Sequence, residues 1–588
     1  MESVLYREVF ETDVRNKEVA KLLGDIADLL EIKGESAFRV GAYREAARRI
    51  EGLSFDVETL SAQGRLQEIQ GVGESLAARI DEYLKVGRVQ YLEDLKAAIP
   101  AGLVELLQVP GLGPKKVKLV YEKLGVMGID DLEKAAHEHR LQALPGMGEK
   151  SEDKLIRELE RWRNRSRRLL LGDALPRAEA VAEMLQGCPA ARQVEPSGSI
   201  RRRQETIGDI DILASSDSPE ELMACFNTLP IVKEVIAHGP TKSSVLSVDD
   251  LQIDLRVVKP ESFGSALQYF TGSKNHNVKL RELAQKRGLK INEYGIFEGE
   301  TGRRIGGNTE EEIYNALGLA CMPPELREDR GEIEAATADR LPDLIEMGDI
   351  EGDLHVHTDW SDGHNTLEEV ARAAMAKGYS YLAICDHSKS LGVAHGLSIE
   401  RVREQRQDID ELNELLHPFR ILAGIEMDIR ADGTLDYDDE VLKEFDIVSA
   451  SIHFAMGQPV DKITQRVIAA MRNPYVDVFN HPTGRIIGRR YPYEIDLEAV
   501  FAVAAETHTA LEINAAPDRL DLNDISVRRA KELGVMIAIN TDAHAIPQLE
   551  FMRYGVATAR RGWIEKPDVL NALPLPELLA RLKRSRSK

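Results

Sequence analysis

Gly198-Ser199-Ile200-Arg201-Arg202-Arg203-Gln204-Glu205-Thr206-Ile207-Gly208-Asp209-Ile210-Asp211-Ile212-Leu213 reads as a phosphate-holding turn that feeds an acidic strand. Asp209 and Asp211 are two apart in an alternating run, so a strand presents both carboxylates on one face. Two adjacent acids repel unless a cation sits between them. A Mg²⁺ or Mn²⁺ ion takes a few oxygen ligands and keeps open positions for phosphates, which this pair can offer. Gly198-Ser199 supplies backbone N–H groups and a hydroxyl for a phosphate, and Arg201 to Arg203 add charge that can neutralise a triphosphate. Further on, Leu251-Gln252-Ile253-Asp254-Leu255-Arg256-Val257-Val258 reads as a strand with Asp254 its only acid, a third ligand that would complete a two-metal site.

Either half alone fits a solvated strand or an ordinary turn. The order Gly-Ser, Asp-x-Asp, then a lone strand Asp is the nucleotidyltransferase pattern. At 588 residues the chain is too long for one core, and several domains are expected. The first residues are charged (Glu2, Arg7, Glu8) and no apolar run approaches membrane-spanning length, so a cytoplasmic enzyme without membrane contact is expected. Cys188, Cys225, Cys321 and Cys385 are far apart with no C-x-x-C pair, and free thiols are expected. A net charge of −23 argues against a protein that coats nucleic acid by bulk electrostatics, so contacts with it must be local. The run from Lys154 to Arg168 is one local candidate, though a solvated helix face has the same composition.

Residues 1–95 read as helices, opened by a capping Asn16. Three copies of one short pattern follow: Ile69-Gln70-Gly71-Val72-Gly73, Val109-Pro110-Gly111-Leu112-Gly113 and Leu144-Pro145-Gly146-Met147-Gly148. Each has a helix on either side. A G-h-G turn at the second helix's N-terminus frees N–H groups for a DNA phosphate without reading sequence, as in a helix-hairpin-helix module. Gly71, Gly73, Gly111, Gly113, Gly146 and Gly148 are the expected DNA contacts.

The G-S…D-x-D…D set, with Tyr269-Phe270-Thr271-Gly272 and Ile291-Asn292-Glu293-Tyr294-Gly295, resembles family X DNA polymerases over roughly residues 1–320. The resemblance implies an N-terminal helical domain at 1–95, fingers at 96–168, an α+β palm at 169–260 and a thumb at 261–320. It further implies that Asp209, Asp211 and Asp254 hold two Mg²⁺ or Mn²⁺ ions. Ser199 and Arg202 would contact the triphosphate, Gly198, Gly208 and Gly272 would also bind the nucleotide, and Tyr269 and Phe270 would flank the incoming sugar. Asn277 and Arg281 would touch the nascent pair and template. The implied partners are gapped or primer-template DNA and deoxynucleoside triphosphates, bound by a monomer. Two residues depart from the eukaryotic repair members. Arg79 stands where they carry a Schiff-base lysine, and a guanidinium is a very poor amine nucleophile. Lys274 stands where they carry an acid, putting positive charge at the nucleotide pocket.

After a linker expected at 321–347, apolar strands alternate with helices through 348–588, and nearly every strand ends in a ligand-type residue, the arrangement of a (β/α) barrel with its site at the strand C-termini. His355, His357, His387, His453, His481 and His544 account for six of the 14 histidines, and Asp362, Glu426 and Asp542 join them. Nine such ligands exceed the needs of one ion and fit two or three, with Zn²⁺, Mn²⁺ and Fe²⁺ all compatible. Glu426, midway through the series, is the expected bridge. This half resembles the polymerase and histidinol phosphatase (PHP) domain, which implies metal-dependent phosphoester hydrolysis, here at a DNA 3′ end. The fusion is that of bacterial and archaeal family X members. Two alternatives stay open: a template-independent transferase acting on DNA ends, against which Asn277 and Arg281 weigh, and a non-catalytic DNA-structure binder.

Overall fold

The computed structural model describes residues 19–582, apart from 52–56, 70, 87–88, 98, 108, 110–111, 146, 149–151, 153–154, 157–158 and 160–167. Asn16, Gly111, Gly146 and most of the basic run 154–168 lie outside the described residues. Two units form, Met1–Arg167 and Arg168–Lys588.

The first unit is helical, with one core that includes Leu23, Ile26, Leu30, Ile80, Leu103, Val117 and Leu132. The described residues of the three G-h-G copies share one turn. Val72, Leu112 and Met147 each donate their backbone N–H to the carbonyl three residues back, Ile69, Val109 and Leu144, at 2.9, 3.0 and 3.1 Å. Each of these three apolar side chains is buried. The middle residue therefore anchors the turn in the core while Gly71, Gly73, Gly113 and Gly148 stay at the surface. Gly71 has φ +92°, a conformation that favours glycine. Gly73 precedes the helix Glu74–Val86 and Gly113 caps the helix Pro114–Leu124, which leaves first-turn N–H groups unbonded within the helix.

The second unit contains four sheets among the described residues. β1 (Leu169–Leu170) pairs with β3 (Thr206–Ile207). β2 (Gln193–Pro196), β4 (Ile210–Ser215), β5 (Val232–His238), β6 (Lys242–Ser247) and β7 (Gln252–Val258) form a sheet in the order β2-β4-β7-β6-β5. Within it β4 and β7 run parallel, in a register that sets Asp211 directly opposite Asp254. Their alternate residues Ile210, Ile212, Ile253 and Leu255 point into a core with the helix Leu171–Gln186. β8 (Leu289–Asn292), β9 (Gly295–Glu298) and β10 (Arg304–Gly306) form a small antiparallel sheet.

The remaining strands are β11 (Gly352–Val356), β12 (Tyr381–Ile384), β13 (Arg420–Asp428), β14 (Ile447–Ser451), β15 (Val478–Phe479), β16 (Ala510–Asn514) and β17 (Ile537–Asn540). They pair in chain order, every pair parallel, and a further parallel bridge from Val356 to Ala543 brings β17 beside β11. The result is a nearly closed seven-stranded barrel. A helix follows each strand, from Leu367–Ala376 after β11 to Met552–Arg561 after β17. Outward residues such as Leu382, Ile421 and Ile539 pack under the helices, while Tyr381, Ile447, Val478 and Ala510, at the strand starts, cluster with Leu578 of the last helix, Leu575–Arg581. That helix plugs the N-terminal end of the barrel, so the C-terminal end is free for a site.

Of residues 321–347, expected as a linker, 321–341 fold against the β8–β10 sheet and its helices, while Leu344 and Ile345 join the barrel half through a bridge to Glu565 and a hydrogen bond to the Ile564 carbonyl. Arg327 is fully buried and pairs with Glu310, which also accepts from Arg201 at 2.7 Å. Glu332 accepts from buried His276 Nδ1 at 2.7 Å. The thiol expectation is corrected at one pair: Cys188, just past the helix Leu171–Gln186, is disulfide-bonded to Cys225 in the helix Pro219–Asn227, their Cα atoms 6.6 Å apart. Helix packing makes that pairing, and a separation of 37 residues gives no hint of it.

Candidate functional site

Oxygens of Asp209, Asp211 and Asp254 lie within 4.8 Å of one another. The parallel β4–β7 register aligns two of them and Asp209 enters one residue before β4. Burial and the charges of Asp209 and Asp254 push the Asp211 carboxyl up to about 7. Lys242 Nζ, 2.7 Å from Asp254 Oδ2, acts the other way and holds Asp254 below the usual range despite its burial. Three converging carboxylates with so little counter-charge fit divalent cations better than they fit each other.

Gly198 has φ +64°, and a Cβ there would meet Asp211 Oδ2 at 2.2 Å. The Gly-Ser turn thus lies directly on the acidic strand, fixed by the Ser197 N–H donating to the Asp211 carbonyl at 2.8 Å. Arg202 packs its guanidinium against Gly272, donates to the Thr271 carbonyl, and donates from Nε to Glu328 Oε1 at 2.9 Å. Gly208 lies beside Arg168. Tyr269 and Phe270 meet edge to face at 5.1 Å, with the Arg256 guanidinium over Phe270. Asn277 accepts from Gln268 and donates to the Tyr269 carbonyl, and Arg281 donates to the Asn277 carbonyl. Lys274 opens the helix Lys274–Lys286, which Ser273 caps.

At the barrel's C-terminal end the nine expected ligands converge. Donor atoms of His357, Asp362, His387 and His544 form one group, those of His355, His357 and Asp542 a second, and those of His387, Glu426 and His453 a third, each within 4.8 Å. His481 reaches the same place, its Nε2 2.9 Å from Glu426 Oε1. The Glu426 carboxylate stands between the groups. Its Oε1 faces His355, His453 and His481, and its Oε2 faces His357 and His387. Asp542 and His481 both hold positive φ, 54° and 28°, conformations uncommon outside glycine that hold these two side chains inward.

Two acids overlooked in the sequence orient this cluster. Glu512 accepts from His355 Nδ1 at 2.7 Å and from the His481 N–H, and Asp428 pairs with His453 Nδ1 at 2.9 Å. With Nδ1 of each ring so engaged, Nε2 is left to face Glu426. Glu512, the only acid in the apolar strand β16, carries the same signal that singled out Asp254. His357 Nδ1 and His481 Nδ1 are buried with no hydrogen-bond partner. Buried polar atoms are rarely left so, and a nitrogen–oxygen donor set without thiolate suits Zn²⁺, Mn²⁺ or Fe²⁺. Nearby acids raise His387 to about 10 and His453 to about 9, while neighbouring imidazoles and burial push His357 down to about 3.

The comparisons fit both halves. Residues 14–89 match the helix-hairpin-helix domain, 103–161 the SAM-like helix-hairpin-helix tandem, 266–328 the DNA polymerase beta thumb and 353–516 the PHP domain. Shorter similarities are to a probable phosphatase of Thermoanaerobacter sp., 35% identical over 232 residues (37% of this chain, 89% of that protein), and to one of Caldanaerobacter subterraneus, 33% identical over 205 residues (33% and 75%). The chain is 44% identical over 574 residues to the Bacillus subtilis protein named DNA polymerase/3′-5′ exonuclease PolX, covering 97% of this chain and 100% of that one. Identity at that level through both halves shows that the chain belongs to the PolX family, family X DNA polymerases that carry a 3′-5′ exonuclease.

Proposed function

We propose that this protein fills short gaps in DNA during cytoplasmic repair and hydrolyses DNA 3′ ends at a second, separate centre. The observation that carries the reading is the pair of ligand clusters on different sheets: the in-register acids of β4 and β7, and the nine converging residues of the barrel. Asp209, Asp211 and Asp254 would hold Mg²⁺ or Mn²⁺, and the barrel cluster two or three Zn²⁺, Mn²⁺ or Fe²⁺ ions. When bound, such ions lower the cost of bringing an anionic oxygen to phosphorus and neutralise charge on its other oxygens. The chain's own residues supply positioning.

The Gly198-Ser199 turn and Arg202 receive the triphosphate beside Asp211, and Lys274 adds positive charge to the same pocket. Tyr269 and Phe270 flank the sugar, and Asn277 and Arg281 meet the pair and template. Hairpin N–H groups around Gly73, Gly113 and Gly148 hold DNA phosphates without reading bases. In the barrel, Glu512 and Asp428 fix the His355 and His453 rings, and Glu426, which faces five imidazoles, would help to hold the ions. The test is a 5′-labelled primer on a one-nucleotide gap, incubated with and without deoxynucleoside triphosphates in Mg²⁺ and then in Mn²⁺. One-nucleotide extension and progressive shortening are expected from one preparation. A chain that does neither sinks the reading, and extension of unpaired ends independent of template favours the template-independent alternative.

A further inference from the structure

Arg202 does not stand alone beside the acids. Glu328 Oε1 accepts from Arg202 Nε at 2.9 Å, from Gln204 Nε2 at 2.6 Å and from Arg561 Nη1 at 3.0 Å. Arg561 ends the barrel helix Met552–Arg561, the helix that follows β17. Its Nη1 also donates to the Arg202 carbonyl at 2.6 Å, and its Nη2 donates to Asp524 Oδ2 at 2.8 Å. The Arg561 side chain is only 4% exposed and that of Arg202 13%. Asp524 accepts a second arginine, Arg330, at 2.9 Å. A barrel side chain thus touches both the backbone and the carboxylate partner of a guanidinium on the turn over Asp211.

We infer that Arg561 is a positioning residue for nucleotide binding, acting through Glu328 on the Arg202 guanidinium. This rests on the reading of Arg202 as a triphosphate contact. Two physical effects carry it. With Nε on Glu328 and Nη1 on the Thr271 carbonyl, the plane of the Arg202 fork is set in advance, so a nucleotide need not freeze a mobile side chain. Glu328 alone would cancel the charge that an arriving triphosphate must meet. Arg561 restores it: Arg202, Glu328 and Arg561 together carry one positive charge, and without Arg561 they carry none.

The experiment compares Arg202→Met, Arg561→Met and the double variant in the full-length chain. It reads equilibrium binding of a fluorescent deoxynucleoside triphosphate without DNA, KM and kcat for gap filling, and 3′ hydrolysis. Arg561→Met is expected to raise both Kd and KM about tenfold, the order for losing a hydrogen bond between charged groups, with kcat changed less than threefold and 3′ hydrolysis unchanged. The double variant is expected to match Arg202→Met, because Arg561 works through that residue. An unchanged Kd in Arg561→Met, or effects that multiply in the double variant, overturns the inference. An unchanged Kd in Arg202→Met would instead overturn the reading beneath it. If Arg561→Met loses 3′ hydrolysis as well, Arg561→Lys decides. It keeps the charge but cannot reach Glu328, the Arg202 carbonyl and Asp524 together, so a three- to fivefold rise in Kd is expected and an unchanged Kd overturns the inference.

Discussion

Gly198→Ala tests the fit between the turn and the acidic strand. The added methyl would lie 2.2 Å from Asp211 Oδ2, 3.1 Å from its Cγ and 3.3 Å from its Cβ. The turn cannot back away freely, since the Ser197 N–H is bonded to the Asp211 carbonyl. The carboxylate oxygen must therefore retreat by about 1 Å, and a misplacement of that size in a reacting assembly costs about 10²-fold in rate. That corresponds to about 2.7 kcal/mol in the barrier. Stability suffers less, because an alanine at φ +64° adds only about 1–2 kcal/mol of backbone strain. The assay is single-turnover insertion into a one-nucleotide gap at saturating nucleotide and Mg²⁺, with 3′ hydrolysis by the same preparation as the control for folding. We expect insertion to fall about a hundredfold with hydrolysis intact. Insertion within threefold of wild type would refute the claim that Asp211 must sit where it does.

Three further expectations follow from particular contacts. Glu426→Ala should lose more bound metal per chain, by elemental analysis, than His544→Ala, because Glu426 faces five imidazoles of the cluster; equal losses would remove it as the bridge. Arg201 and Arg327 hold Glu310 down at about 2, below the 4.5 of a free glutamate, so its contribution, at most about 3 kcal/mol, is complete above pH 4.5 and lost as pH falls towards 2. The denaturation midpoint of wild type should therefore exceed that of Glu310→Gln most at neutral pH, with the gap closing across that window, and a pH-independent gap would contradict it. Arg79 lies 3.9 Å over the Tyr91 ring and is hydrogen-bonded to Ser75, so borohydride should trap no substantial adduct with a 5′-deoxyribose phosphate on residues 1–95.

The candidate ligands that the structure brings together were legible in the sequence where each broke a local pattern: acids at the apolar strands β4 and β7 and histidines at barrel strand ends. The same logic reached Asp254 and could have reached Glu512. Buried charge partners gave no such signal. Glu328 and Arg561 meet across more than two hundred residues, and Arg327 sits in a charged stretch that reads as an interdomain linker, yet it is fully buried against Glu310. Whether such a residue faces water or a partner is decided by packing, which periodicity does not encode. Cys188 and Cys225 belong to the same class.

The most direct measurement of two separate centres is a reciprocal pair of variants on one substrate. Asp254→Ala and Glu426→Ala are each given the 5′-labelled, singly gapped DNA with nucleotides and divalent ions, and products are read from the same lanes. We predict that Asp254→Ala shortens the primer at the wild-type rate but does not extend it, and that Glu426→Ala extends it at the wild-type rate but does not shorten it. Loss of both activities in either folded variant would contradict the account.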